Sequence, residues 1–226
     1  MKKKNETLRD IFTEAFTAYK NKKLTAAESL CYKILNIDPN HFDSTFLLAT
    51  MSALNNNFEG AKELLIKSLD IQPKNVSALN NLGTAYKQLG KHEEATNCYK
   101  KVLEINPNHT NANYNLGIQF YDQKNLQKAK SFFEKTVEIQ ANYGTAYFSL
   151  GNVYTELKEF QNALSSYQKA LEINPNIVGA HNNLGLVYRE LNDFENAIKC
   201  YKKALELEPN RGGTHHNLAL AYKESG

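Results

Sequence analysis

Apolar and small residues recur along the chain with a period of 34 residues. Pro39, Pro73, Pro107, Pro175 and Pro209 share one register of that period, and Ala141 fills the slot that proline skips. With proline at position 32 of each unit, units open at Leu8, Phe42, Val76, Thr110, Gly144, Val178 and Gly212. Apolar residues at positions 4, 7, 8 and 11 then share one face of a first helix, helix A, and those at 20, 24, 27 and 28 share one face of a second, helix B. Position 7 is leucine from Leu48 through Leu218, position 8 is always alanine or glycine, and position 20 is alanine from Ala27 through Ala197. Small residues at 8 and 20 let two helices approach closely, while Leu65, Tyr99, Phe133, Tyr167 and Tyr201 at position 24 fill the facing space.

Polar turns such as QLGKH (88–92) separate the two helices, and proline after helix B prevents its continuation. The pattern predicts an all-α chain built from helical hairpins, each unable to bury its apolar face alone, so that neighbours must stack into a continuous core. It divides the chain into a basic tail (1–7), six units (8–41, 42–75, 76–109, 110–143, 144–177 and 178–211) and a lone helix A (212–226). Ala141, beside Gly144, predicts a softer joint between units, and the unpaired last helix predicts a piece of a longer protein.

Composition changes this picture little. A net charge of +3 is too weak to imply nucleic acid or acidic lipid, and Lys2–Lys4 form the one compact basic run. No run approaches the ~20 apolar residues of a membrane span. The start, MKKKNETLRD, leads into no apolar signal segment, so a cytoplasmic location is expected. Cys31, Cys98 and Cys200 form no CxxC or Cys/His cluster, so neither a disulfide framework nor a zinc site is predicted. P-loop, GxSxG and HExxH motifs are missing, and adjacent His215 and His216 point about 100° apart on a helix. The reading is therefore of a protein that is not an enzyme and carries no cofactor.

The string L-G-x-x-Y…A-x-x-x-F/Y…P at this period resembles the tetratricopeptide repeat family, most closely from Phe42 to Pro209. The first unit departs furthest, with Glu14 and Ala18 where leucine and an aromatic are usual. The resemblance implies a right-handed superhelical α-solenoid of helix-turn-helix repeats, with helix A of each hairpin lining the concave surface. Positions 2, 5, 6, 9, 12 and 13 of helix A, left over from the packing stripe, are then the candidates for ligand contact.

Position 6 carries Asn81, Asn115, Asn183 and Asn217, interrupted by Ser149. A carboxamide both donates and accepts, so each asparagine can hold one peptide unit of an extended chain. This ladder is similar to the substrate-recognition arm of the O-linked N-acetylglucosamine transferases. Asn80, Asn182 and Tyr114 at position 5, and Lys87 and Arg189 at position 12, extend the candidate surface. Position 13, with Asp122, Glu156, Glu190 and Glu224, forms a candidate acidic edge. The expected function is a protein-interaction scaffold that binds a protein or peptide segment in its concave groove. Two alternatives stand beside it: the recognition arm of a larger glycosyltransferase-, sulfotransferase- or hydroxylase-like enzyme, and a scaffold that self-associates through Leu218 and Tyr222 of its last helix.

Overall fold

The computed structural model describes residues 2–226, with side chains from Thr7 onward, so the Lys2–Lys4 side chains lie outside the described residues. The described residues form thirteen α-helices and no strand. Successive hairpins pair α1 (Lys2–Lys20) with α2 (Leu24–Ile37), α3 (Phe42–Leu54) with α4 (Phe58–Ile71), and α5 (Val76–Gln88) with α6 (His92–Ile105). Next come α7 (Thr110–Asp122) and α8 (Leu126–Ile139), α9 (Gly144–Glu156) and α10 (Phe160–Ile173), α11 (Val178–Glu190) and α12 (Phe194–Leu207), and finally α13 (Gly212–Glu224). The chain separates into two compact units, one running to Ala112 and the other starting at Asn113. Helix α1 begins at Lys2, ahead of Leu8 where the repeat register opens.

Each helix A ends in the same way. Position 15, namely Lys22, Asn56, Gly90, Lys124, Lys158 and Asn192, takes a left-handed backbone with φ between 58° and 72°. The following N–H reaches back to the carbonyl of position 11, as in Lys91 to Tyr86 (2.8 Å) and Glu159 to Tyr154 (2.8 Å). This double closure satisfies the last carbonyls of the helix and reverses the chain. Only Gly90 adopts this φ without the steric cost borne by a side chain.

Helix B ends on an extended residue, and a second turn starts the next hairpin. In that turn His41 N–H donates to Asp38 O and Asn75 N–H to Gln72 O, both at 3.1 Å. Tyr143 N–H donates to Gln140 O at 3.2 Å in the same way, so the turn at Ala141 closes without proline. The softer joint expected there is not reflected in its hydrogen bonding.

Small and large positions meet as the pattern requires. A Cβ on Gly83 would lie 2.6 Å from the Tyr99 ring, and one on Gly151 would lie 2.5 Å from the Tyr167 ring. Gly117 meets Phe133 and Gly185 meets Tyr201 in the same fashion, both at 2.6 Å. All four rings are fully buried, and burying a side chain of this size contributes about 1.5–3 kcal/mol. The first two hairpins pack differently, with Ala15 and Cys31 in one core cluster and Ala49 and Leu65 in the next. Cys31, Cys98 and Cys200 are free thiols whose pKa values burial pushes up to about 11, which makes them packing residues rather than nucleophiles.

Candidate functional site

The position-6 asparagines fall into two groups. Asn81 and Asn115 are half-buried, and their carboxamides engage no protein partner. Asn183 is tied at both ends: its Nδ2 donates to Asn152 Oδ1 (2.9 Å) and its Oδ1 accepts from Asn182 Nδ2 (3.1 Å). Asn217 Nδ2 donates to Asn182 Oδ1 at 3.2 Å, and the Thr214 hydroxyl donates to the same oxygen at 3.0 Å. The Tyr167 hydroxyl joins this network by donating to Asn152 Oδ1 at 2.8 Å.

Position 5 does not behave as the leftover pattern predicts. Asn182 is 9% exposed and belongs to the interior, because Thr214 and Asn217 cover its carboxamide. Asn80 is half-buried, and its Oδ1 is enclosed with no partner. Ala112 stands at Thr214's place in the repeat and has no hydroxyl to donate. Tyr114 packs its ring against Phe133 and Tyr143, with centroids 5.7 and 5.1 Å away, which leaves it half-buried.

At position 12, Tyr121 and Arg189 pair with position 13. The Tyr121 hydroxyl donates to Glu156, and Lys124 Nζ sits 3.2 Å from the same carboxylate. The Tyr121 hydrogen bond, helped by Lys124, holds the Glu156 carboxyl below the usual range, while burial first and Glu156 second raise Tyr121. Arg189 Nε lies 3.7 Å from Glu224 and Nη2 lies 3.9 Å from Glu190. The acidic edge is thus largely neutralised in the second unit. Arg189 Nη1 and the Tyr201 hydroxyl remain enclosed without partners, and burial pushes Tyr201 up to about 12. Lys87 closes the last turn of α5, where its charge suits the carbonyl end of the helix.

Two adjoining cavities open on the helix-A residues of the first unit. One, of about 350 Å³, is lined by Phe12, Phe16, Tyr19, Asp43, Phe46, Leu47 and Thr50. The other, of about 240 Å³, is lined by Ala49, Thr50, Ala53, Leu54, Phe58, Leu65, Asn81, Thr84 and Ala85. Thr50 forms a wall of both. Phe12, Phe16, Tyr19 and Phe46 are absent from the sequence-based candidates, although they occupy positions 5, 9, 12 and 5 of their units. The same repeat positions that hold Asn182 and Arg189 in the later repeats hold these aromatics in the first two repeats. A wider cavity of about 690 Å³ lies away from these residues, among Tyr32, Leu35, Lys67 and Asp70.

Among the described residues no group of three metal-ligating side chains converges, and no helix is long and apolar enough to cross a membrane. Around Asn81 the surface combines apolar cavities with an unpartnered carboxamide.

Sequence models of the tetratricopeptide repeat match residues 76–109, 178–211, 151–190 and 98–131, together just over half of the chain. No curated protein matches by sequence. Among solved structures, MamA protein is similar at 27% identity, covering 76% of this chain and 94% of that one with a TM-score of 0.66. YrrB, described as a TPR protein with an unusual peptide-binding site, is 21% identical over 82% of this chain and 96% of its own, with a TM-score of 0.69. PilF of Pseudomonas aeruginosa is 19% identical and covers 98% of this chain and 97% of its own, with a TM-score of 0.82. The last two likenesses speak for the fold, an all-α solenoid of helical hairpins.

Proposed function

The chain belongs to the tetratricopeptide repeat family, and from that premise we propose that it is a protein-interaction scaffold holding an extended peptide segment against its helix-A residues. The observation that carries this reading is the pair of adjoining cavities in the first unit, with the unpartnered Asn81 carboxamide in the wall of one. Asn81 presents a donor and an acceptor to one peptide unit, and each such bond contributes roughly 1 kcal/mol net. That is too little to offset the ordering of a flexible segment, so apolar side chains seated in the two cavities supply most of the affinity. Asn115 is the second asparagine with a free carboxamide. Asn183 uses both ends of its amide within the protein and Asn217 uses its Nδ2, so a continuous ladder like that of the glycosyltransferase arms is reduced to its open members.

A peptide array probed with labelled wild-type chain, Phe46→Ala and Asn81→Ala tests the proposal. Retained sequences should contain apolar side chains; Phe46→Ala should lose capture and Asn81→Ala should weaken it several-fold, with helicity kept in both. Capture undiminished by both substitutions, or no capture by the wild-type chain, overturns it.

A further inference from the structure

The 240 Å³ cavity has a specific origin in the repeat. In the hairpin of α9 and α10, the position-24 residue Tyr167 lays its ring on Gly151 and sends its hydroxyl to Asn152 and Thr155, with Asn183 beside it. Those neighbours occupy positions 8, 9 and 12 of the same unit and position 6 of the next. One hairpin of the first unit, α3 with α4, has Leu65 at position 24. The matching neighbours there are Ala49, Thr50, Ala53 and Asn81, and all four line the cavity together with Leu65 itself. The cavity therefore opens where the shorter Leu65 stops short of the hydroxyl end of the ring that holds this position in the glycine-bearing hairpins.

We propose that this cavity is a pocket for a tyrosine side chain of the bound peptide, which supplies from outside the ring that the repeat lacks. The size agrees, since an apolar cavity of roughly 150 Å³ already admits benzene. Hydrogen-bonding chemistry agrees as well. Asn81 holds the place of Asn183 beside the Tyr167 hydroxyl, but its carboxamide is free to meet a phenol. The Thr50 hydroxyl donates to Phe46 O at 2.9 Å and keeps its lone pairs for a donor. Ala53 replaces the Thr155 hydroxyl with a methyl, so no internal donor competes. Ala49 excludes a ring in the internal pose, since in the glycine-bearing hairpins a Cβ at that position would meet the ring at 2.5–2.6 Å, so a tyrosine entering from outside sits beyond that methyl, between Thr50, Ala53 and Asn81.

The biological occupant rests on the peptide-binding reading, whereas the pocket's chemistry can be measured without a peptide. The full chain is titrated with 4-methylphenol and with toluene while the methyl resonances of Ala49, Ala53 and Leu65 are followed by NMR. Saturable shifts confined to these methyls are expected, with 4-methylphenol binding about three- to tenfold tighter than toluene, the worth of one net hydrogen bond. Asn81→Ala should erase that preference and leave toluene binding unchanged. The double variant Ala49→Gly/Leu65→Tyr, which rebuilds the internal ring, should abolish binding of both probes and raise the melting temperature. Should that variant fail to fold, Ala53→Leu narrows the same pocket and should also abolish binding. Absence of saturable shifts, or their persistence in the filled variants, overturns the pocket; toluene binding as tightly as 4-methylphenol overturns its assignment to tyrosine. Probe binding without peptide capture would instead refute the peptide-binding reading and leave the pocket standing.

Discussion

Asn81 and Asn183 hold the same position of the repeat, yet one is free and the other is locked. Asn183 meets Asn152 on one side and Asn182 on the other, and both ends of its amide are used. Asn81 has the shorter Thr50 at the position of Asn152, with no carboxamide oxygen to receive its amide, and the two make no bond. The contrast at position 5 is parallel. Asn182 gathers donors from Thr214 and Asn217, whereas the Asn80 oxygen is enclosed with none. A repeat position therefore sets where a side chain sits, while its neighbours in adjacent helices decide whether it is structure or surface.

The contrast breaks most sharply at Asn182. Asn182→Ala removes three hydrogen bonds and strands the buried Thr214 hydroxyl, which should cost about 3 kcal/mol in a denaturant titration. Asn81→Ala should stay within about 0.5 kcal/mol in the same measurement. Equal losses would show that Asn81 is as structural as its counterpart. Gly151→Ala comes next, because its new methyl must push the Tyr167 ring that anchors the network; a loss of about 2 kcal/mol is expected from thermal unfolding. Ala112→Ser repairs the first unit by offering Asn80 a donor where Thr214 serves Asn182, and should raise stability by about 1 kcal/mol. No gain there would mean that the Asn80 oxygen is not held in the enclosed position.

The smallest effect concerns pH. His109 Nδ1 accepts the Ala112 N–H at 3.2 Å, and burial holds the imidazole below its ordinary pKa. The unfolded chain then binds the proton more readily, so this contribution is complete above the unfolded value of about 6.5 and is lost as pH falls through the lower folded value. His109→Asn, which copies the Asn75 cap of the preceding hairpin, should flatten the stability slope between pH 7.5 and 5.5. An unchanged slope would remove His109 as its source.

Much of the architecture was legible because packing is periodic. Glycine at position 8 and a ring at position 24 imply each other, and Gly83 with Tyr99 or Gly185 with Tyr201 meet as that rule requires. The left-handed residue at position 15 was less visible, because lysine or asparagine fills it everywhere except Gly90 and Gly226, and lysine does not announce a positive φ. The candidate site was read only in part. Asparagine marks Asn182 and Asn183, whose hydrogen bonds turn inward, whereas Phe12, Phe16 and Phe46 at positions 5, 9 and 5 line the cavity without any such polar mark.

Sequence alone determined the hairpins, their period and the residues that pack within each, because these depend on contacts between helices a fixed distance apart in the chain. Tertiary structure alone decided which carboxamides are free and where a cavity opens. Those outcomes depend on side chains about 30 residues distant, such as Asn152 for Asn183 and Thr214 for Asn182. They depend equally on a ring that is missing: Leu65 reads as an ordinary apolar residue until Ala49, Thr50, Ala53 and Asn81 are seen around the space it leaves.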